Sequence, residues 1–151
     1  MQNFDDYQTF TDATLVMPLE KANNVGYSTL GLVGEVGEYA KTILNLAHIN
    51  PKATDCSEEF LSILSEVTKV CAKAENLKKE VRRGDKTLPN ITIFSTDERD
   101  EIVGELGDIF WYASRAASSI KMKLSQVIGI NVSKLIRRMQ AGIISGWGKD
   151  K

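Results

Sequence analysis

Four acidic residues fall into two pairs of identical spacing, Glu35 with Glu38 and Glu105 with Asp108. On a helix, residues three apart share a face. Paired carboxylates on one face can hold a hard divalent cation, orient a water, or simply solvate the helix. At about 100° per residue, with Glu101 as zero, Glu105 lies near 40°, Asp108 near −20° and Tyr112 near 20°. The apolar stripe of the same helix centres near about 100°, so the acids flank it rather than oppose it. With Glu35 as zero, Glu38 lies near −60° and the apolar stripe is again near about 100°. Two such charges about 4 Å apart repel by roughly 4 kcal/mol at an effective dielectric of about 20. Mg²⁺ or Mn²⁺ removes that cost, because both prefer oxygen ligands. Magnesium held by few protein oxygens also shares its shell with phosphate groups.

Glycines accompany both pairs: Gly31, Gly34 and Gly37 beside the first, Gly104 and Gly107 beside the second. Each costs about 0.8–1 kcal/mol against alanine inside a helix. Either helices approach closely there, or a ligand must reach the backbone. Positive charge gathers late in the chain, where Lys134, Arg137, Arg138, Lys149 and Lys151 face one acid, Asp150. Acids, metal, phosphate and Lys/Arg in that order suit phosphoryl chemistry.

The elements that must position these groups read as helices. Phe4, Tyr7 and Phe10 mark a short helix over 3–14. Residues 15–27, with Pro18 and Asn23-Asn24, read as a connection. Ser28 can cap a helix over 28–48 whose stripe is Leu32, Val36, Ala40, Ile43 and Ala47, ended by Asn50-Pro51. Ser57 opens a third helix running to about Arg83, stopped by Gly84 and Asp85. Residues 85–95 form a loop. A fourth helix begins at Thr96, which with Arg99 makes no full capping box. Asp97, Glu98 and Asp100 fill its first turn, and Ile102, Leu106, Ile109, Ala113 and Ile120 form its stripe. A last helix runs from Ser125 to about Gln140, and the glycine-rich tail is irregular. The fold class is all-α, a bundle of four to five helices.

Composition sets limits. The 151 residues fit one domain, 42% apolar and 26% charged. A net charge of −1 supplies no global pull toward nucleic acid or membrane. Cys56 and Cys71 form no CxxC, and His48 is the single histidine. Zinc is therefore not expected, nor is a di-iron bundle built on two ExxH pairs. The cysteines read as reduced thiols. No signal peptide and no 18-residue apolar run is present, so a cytoplasmic protein is expected. Trp111, Trp147 and the stripe over 60–81 read as packing. His48 reads as a surface or cap residue, and KKEVRRGDK over 78–86 as a solvated helix end.

GYSTLGLVGEVGEYAK (26–41) and DEIVGELGDIFWYASRAA (100–117) together resemble the MazG-like branch of the all-α nucleotide pyrophosphohydrolases. That family carries ExxE on one helix and ExxD on a later one, often with a tyrosine four residues on. Glu35, Glu38, Glu105, Asp108 and Tyr112 match. The family's last helix carries an asparagine, a lysine three residues on, then KLxxR and a glycine, matched by Asn131, Lys134, Arg138 and Gly142. The spacer departs from the pattern: 66 residues separate Glu38 from Glu105, so about 51–95 reads as a helical insertion. The resemblance implies a single domain over 1–151, hydrolysing (deoxy)nucleoside triphosphates to monophosphate and pyrophosphate. It implies Mg²⁺ (or Mn²⁺) on Glu35, Glu38, Glu105 and Asp108, with Glu101 as an outer partner. Glu38, with Glu35, would orient or deprotonate water. Tyr112, Asn131, Lys134 and Arg138 would bind substrate. A homodimer or homotetramer is implied, in the host cytoplasm if phage-encoded, with no nucleic-acid polymer and no membrane as partner. The base preference points first to dGTP or GTP, with dCTP or dUTP as the alternative. A non-enzymatic helical oligomer with solvated acids is the competing reading.

Overall fold

The computed structural model describes residues 3–15, 24–49, 58–89, 91 and 95–144. Their ordered structure is helical throughout: α1 (Phe4–Ala13), α2 (Val25–Ile49), α3 (Glu58–Arg83), α4 (Thr96–Ser119) and α5 (Leu124–Gln140). Among the described residues there is no strand, as the helical spacing requires. The chain divides into two compact units. One spans Glu20–Ile91 and holds α2 and α3. The other joins Met1–Leu19 to Thr92–Lys151 and holds α1, α4 and α5.

In the first unit, α2 and α3 run antiparallel. Gly31 lies against Lys78, Gly34 against Glu75 and Gly37 against Cys71. The acid-bearing α2 begins one turn earlier than its spacing suggests. Its cap is Asn24 rather than Ser28: the Asn24 side-chain oxygen accepts from the Tyr27 backbone N–H at 3.2 Å. The Asn24 amide also donates to Pro89 O at 3.4 Å, tying the start of α2 to the segment after α3. At the C-terminal end of α3, Gly84 takes φ +85, the left-handed region that glycine enters without penalty. Gly84 N–H bonds to Val81 O and Asp85 N–H to Glu80 O, a Schellman stop. The third helix therefore ends at the Gly84-Asp85 step read from the sequence.

In the second unit, α4 starts with a full capping box. Ser95 Oγ accepts from Glu98 N–H at 3.1 Å, and the Ser95 N–H donates to Glu98 Oε2 at 2.9 Å. Thr96 is the first helical residue, so the capping box missing at Thr96/Arg99 sits one residue earlier. A second Schellman turn joins α4 to α5, with Met122 N–H on Ala117 O and Lys121 N–H on Ser118 O. Here the left-handed residue is Lys121, φ 58. The last helix ends as α3 does. Gly142 has φ +68, with Gly142 N–H on Met139 O and Ile143 N–H on Arg138 O.

The core is small. Its buried apolar side chains among the described residues are Ala40, Cys71, Ala117 and Ile144. The stripe read as the buried face of α2 is covered only in part: Ala40 is buried and Ile43 and Ala47 are half-buried, but Val36 is 53% exposed and Leu32 42%. The reason is the glycine line. Gly34, Gly37 and Ala40 present no bulk, so α3 packs against them instead. On α4, Leu106, Ile109 and Ile120 of the expected stripe are also exposed. Asn50, Pro51, Cys56, Ser57, Trp147, Lys149, Asp150 and Lys151, to which the sequence assigned roles, lie outside the described residues.

Candidate active site

The two acid pairs stand one in each unit. On α2, Glu35 and Glu38 are both exposed, while their neighbours Gly34 and Gly37 are buried. A Cβ on Gly37 would collide with Cys71 Cβ, and one on Gly34 would stand 2.8 Å from Glu75 Oε2. The glycines of α2 thus serve the close approach of α3, one of the two uses open to them. Because α3 occupies that side, the two carboxylates beside it are left facing outward.

The α3 side chains over these glycines are themselves charged. Lys78 Nζ pairs with Glu75 Oε2 at 2.6 Å, and Lys79 Nζ with Glu75 Oε1 at 3.7 Å. The Lys78 side chain is only 17% exposed, so this part of the 78–86 run is not a solvated helix end. The remainder fits that reading, with Lys86 on Glu80 and Arg83 on Asp85 at the surface. His48 is exposed in the last turn of α2, and Cys71 is a buried free thiol.

On α4, Glu101, Glu105, Asp108 and Tyr112 are all exposed. An added Cβ at Gly104 or Gly107 would meet nothing within 4 Å. The glycines of α4 therefore serve no close helix approach among the described residues. The Tyr112 ring meets Trp111 edge-on, with centroids 4.8 Å apart and planes at 87°.

On α5, Asn131, Lys134 and Arg138 follow at steps of three and four, one face of the helix. Lys134 and Arg138 are exposed; Asn131 is half-buried. Its Oδ1 accepts a hydrogen bond from Tyr7 OH of α1 at 3.2 Å. Arg137, the other cation of this helix, donates through Nε to Ser133 O at 3.3 Å. Between α1 and α5 lies a cavity of about 240 Å³ walled in part by Phe4, Tyr7, Ser125 and Gly129. Tyr7 is the site-adjacent residue that the sequence did not mark. It stood only in the Phe4/Tyr7/Phe10 spacing, and nothing local ties it to a residue 124 positions away.

The donor set is chemically suited to a divalent cation. Glutamate and aspartate oxygens are the hard ligands that Mg²⁺ and Mn²⁺ take. Glu35, Glu38, Glu105 and Asp108 make no ion pair or side-chain hydrogen bond with another described residue, so their oxygens are available. Among the described residues no three metal-ligating side chains gather; each unit carries one acid pair.

Comparison with known proteins gives two findings. A family model described as the MazG nucleotide pyrophosphohydrolase domain matches residues 27–142, a span holding both acid pairs and the Asn131–Arg138 face. The "Gene 37 protein" of Mycobacterium phage L5 is 26% identical over 151 residues, which cover 97% of each chain. No solved structure matches.

Proposed function

Since the chain belongs to the MazG nucleotide pyrophosphohydrolase family, we propose that it hydrolyses (deoxy)nucleoside triphosphates to the monophosphate and pyrophosphate. The carrying observation is that both acid pairs fall inside the matched span, exposed and paired with no described Lys or Arg. The family's enzymes generally depend on a divalent metal. Glu35, Glu38, Glu105 and Asp108 would hold it, as Mg²⁺ or Mn²⁺, with Glu101 as an outer partner one turn from Glu105. Bound there, the cation would neutralise phosphate oxygens and make water more acidic.

The rest falls to the protein's own groups. Glu38, with Glu35 beside it, orients a water and accepts its proton. The water oxygen bonds to the α-phosphorus, the bond from that phosphorus to the α–β bridging oxygen breaks, and pyrophosphate leaves with the bond's electron pair. Lys134 and Arg138 neutralise the leaving charge, and Asn131 holds a phosphate or the sugar. Tyr112, whose ring meets Trp111 edge-on, packs beside the nucleoside.

In this reading residues 1–151 work as one catalytic domain, with about 51–95 as a helical insertion in the family's plan. A second copy, in a homodimer or homotetramer, covers exposed apolar residues such as Val36 and Phe110. No described helix is long and apolar enough to cross a membrane. A role in nucleotide-pool control places the protein in the cytoplasm, that of the host if it is phage-encoded. The preferred substrate is dGTP or GTP, with dCTP and dUTP as the alternative.

The test is pyrophosphate release from a panel of nucleoside and deoxynucleoside triphosphates with Mg²⁺. Release from at least one, lost in Glu38→Gln and Asp108→Asn, is expected. Silence across the panel, or full activity in both variants, refutes the reading in favour of a helical oligomer with solvated acids. That alternative draws on the same exposed apolar residues.

A further inference from the structure

Asn131 is the one polar group of the α5 face whose chemistry is ambiguous, since an amide both donates and accepts. Lys134 and Arg138 only donate. In the structure Tyr7 OH donates to Asn131 Oδ1, which holds the amide oxygen toward α1 and leaves the two N–H bonds of Nδ2 for a ligand. The contact is half-buried, so water competes with it only in part. An amide without such a partner flips freely and presents oxygen or nitrogen. With Tyr7 in place, the row Asn131, Lys134 and Arg138 offers donors alone, which matches a ligand group that only accepts, an ionised phosphate.

We infer that Tyr7 is a positioning residue that fixes the Asn131 amide as a hydrogen-bond donor to a phosphate of the substrate. The inference rests on the placing of Asn131 in the substrate site, and it brings α1, which lies outside the span matched by the family model, into substrate binding. Tyr7 does not touch the substrate; it acts through Asn131.

The experiment is a double-mutant cycle on the full chain with Tyr7→Phe, Asn131→Ala and the pair. It is read by KM and kcat on the best triphosphate of the panel, and by the Kd of inorganic pyrophosphate with Mg²⁺ from calorimetry. Tyr7→Phe should raise KM and the pyrophosphate Kd about fivefold, the worth of one neutral hydrogen bond, with kcat within about twofold. In the Asn131→Ala background the same change should do nothing. Asn131→Asp, which keeps the acceptor for Tyr7 but removes the donors, should weaken pyrophosphate binding at least as much as Asn131→Ala. An equal Tyr7→Phe effect in both backgrounds would make Tyr7 a packing residue and overturn the inference, as would a Tyr7→Phe variant indistinguishable from the parent. So would pyrophosphate binding indifferent to Asn131. If no triphosphate is turned over but pyrophosphate binds with the expected coupling, the hydrolase reading fails and the positioning role stands. If pyrophosphate does not bind at all, the positioning role falls as well.

Discussion

Gly37→Ala should destabilise this protein, although alanine is the better helix former. Helix propensity alone favours alanine by about 0.8–1 kcal/mol. Against it stands the α2–α3 crossing. The new Cβ would collide with Cys71 Cβ and stand 3.2 Å from Cys71 Sγ and 3.5 Å from Cys71 Cα. Comfortable carbon contacts lie at about 3.5–4.0 Å. A Cβ–Cβ overlap cannot be relieved by a rotamer change, because both atoms are fixed to their helices, so α3 must shift. Overpacking of this kind costs about 1–3 kcal/mol, and contact with backbone-fixed atoms puts it near the top of that range. The net loss is about 2 kcal/mol, or roughly 4–8 °C in Tm at this chain length. Thermal unfolding of the full chain followed by circular dichroism reads it. The control is Cys71→Gly, which removes the opposing Cβ; in that background Gly37→Ala should cost nothing or stabilise. A rise in Tm for Gly37→Ala in the parent chain, or an equal loss in both backgrounds, would refute the close-approach account of the α2 glycines.

The same substitution on α4 should act in the opposite direction. Gly104→Ala meets nothing within 4 Å, so it should raise stability by about 0.8–1 kcal/mol, while pyrophosphate release falls if that space admits substrate; a lower Tm would show a hidden contact. Lys121→Gly relieves a left-handed φ of 58 at a non-glycine residue and should stabilise by about 1 kcal/mol in urea titration. Ser95→Ala removes the acceptor for Glu98 N–H and should cost about 1 kcal/mol in the same assay. Mg²⁺ at about 100 times its Kd should stabilise by about 2.7 kcal/mol. Glu35→Gln with Glu38→Gln should abolish that response in differential scanning fluorimetry, and an unchanged shift would remove these residues from the metal site.

How far the sequence revealed this molecule depends on whether the signal was local. Gly84-Asp85 stopped α3 because a left-handed glycine and its two hydrogen bonds span only six residues. The ExxE and ExxD spacings were legible because one helical turn places each pair on one face. Caps were read one step or one turn wrong: Ser95 with Glu98 and Asn24 with Tyr27 compete with equally plausible Thr96 and Ser28, and only backbone geometry chooses. The packing face of α2 was read only in part, for a different reason. Hydropathy weights Leu32 and Val36, whereas helix approach is governed by what is missing at Gly34 and Gly37. Tyr7 was invisible because its meaning depends on a residue on another helix.

The second unit is assembled from two stretches of chain, with all of Glu20–Ile91 between them. Closing that span to let Tyr7 reach Asn131 costs roughly 4 kcal/mol of chain entropy, several times what one hydrogen bond returns. The hairpin of α2 and α3 closes a far shorter loop and has its full partner as soon as Arg83 is made. During synthesis the ExxE helix is therefore seated early, while α1 waits for most of the remaining chain before it can dock. The order of assembly runs from the middle of the sequence outward, and the amide that Tyr7 orients is among the last features to take its native form.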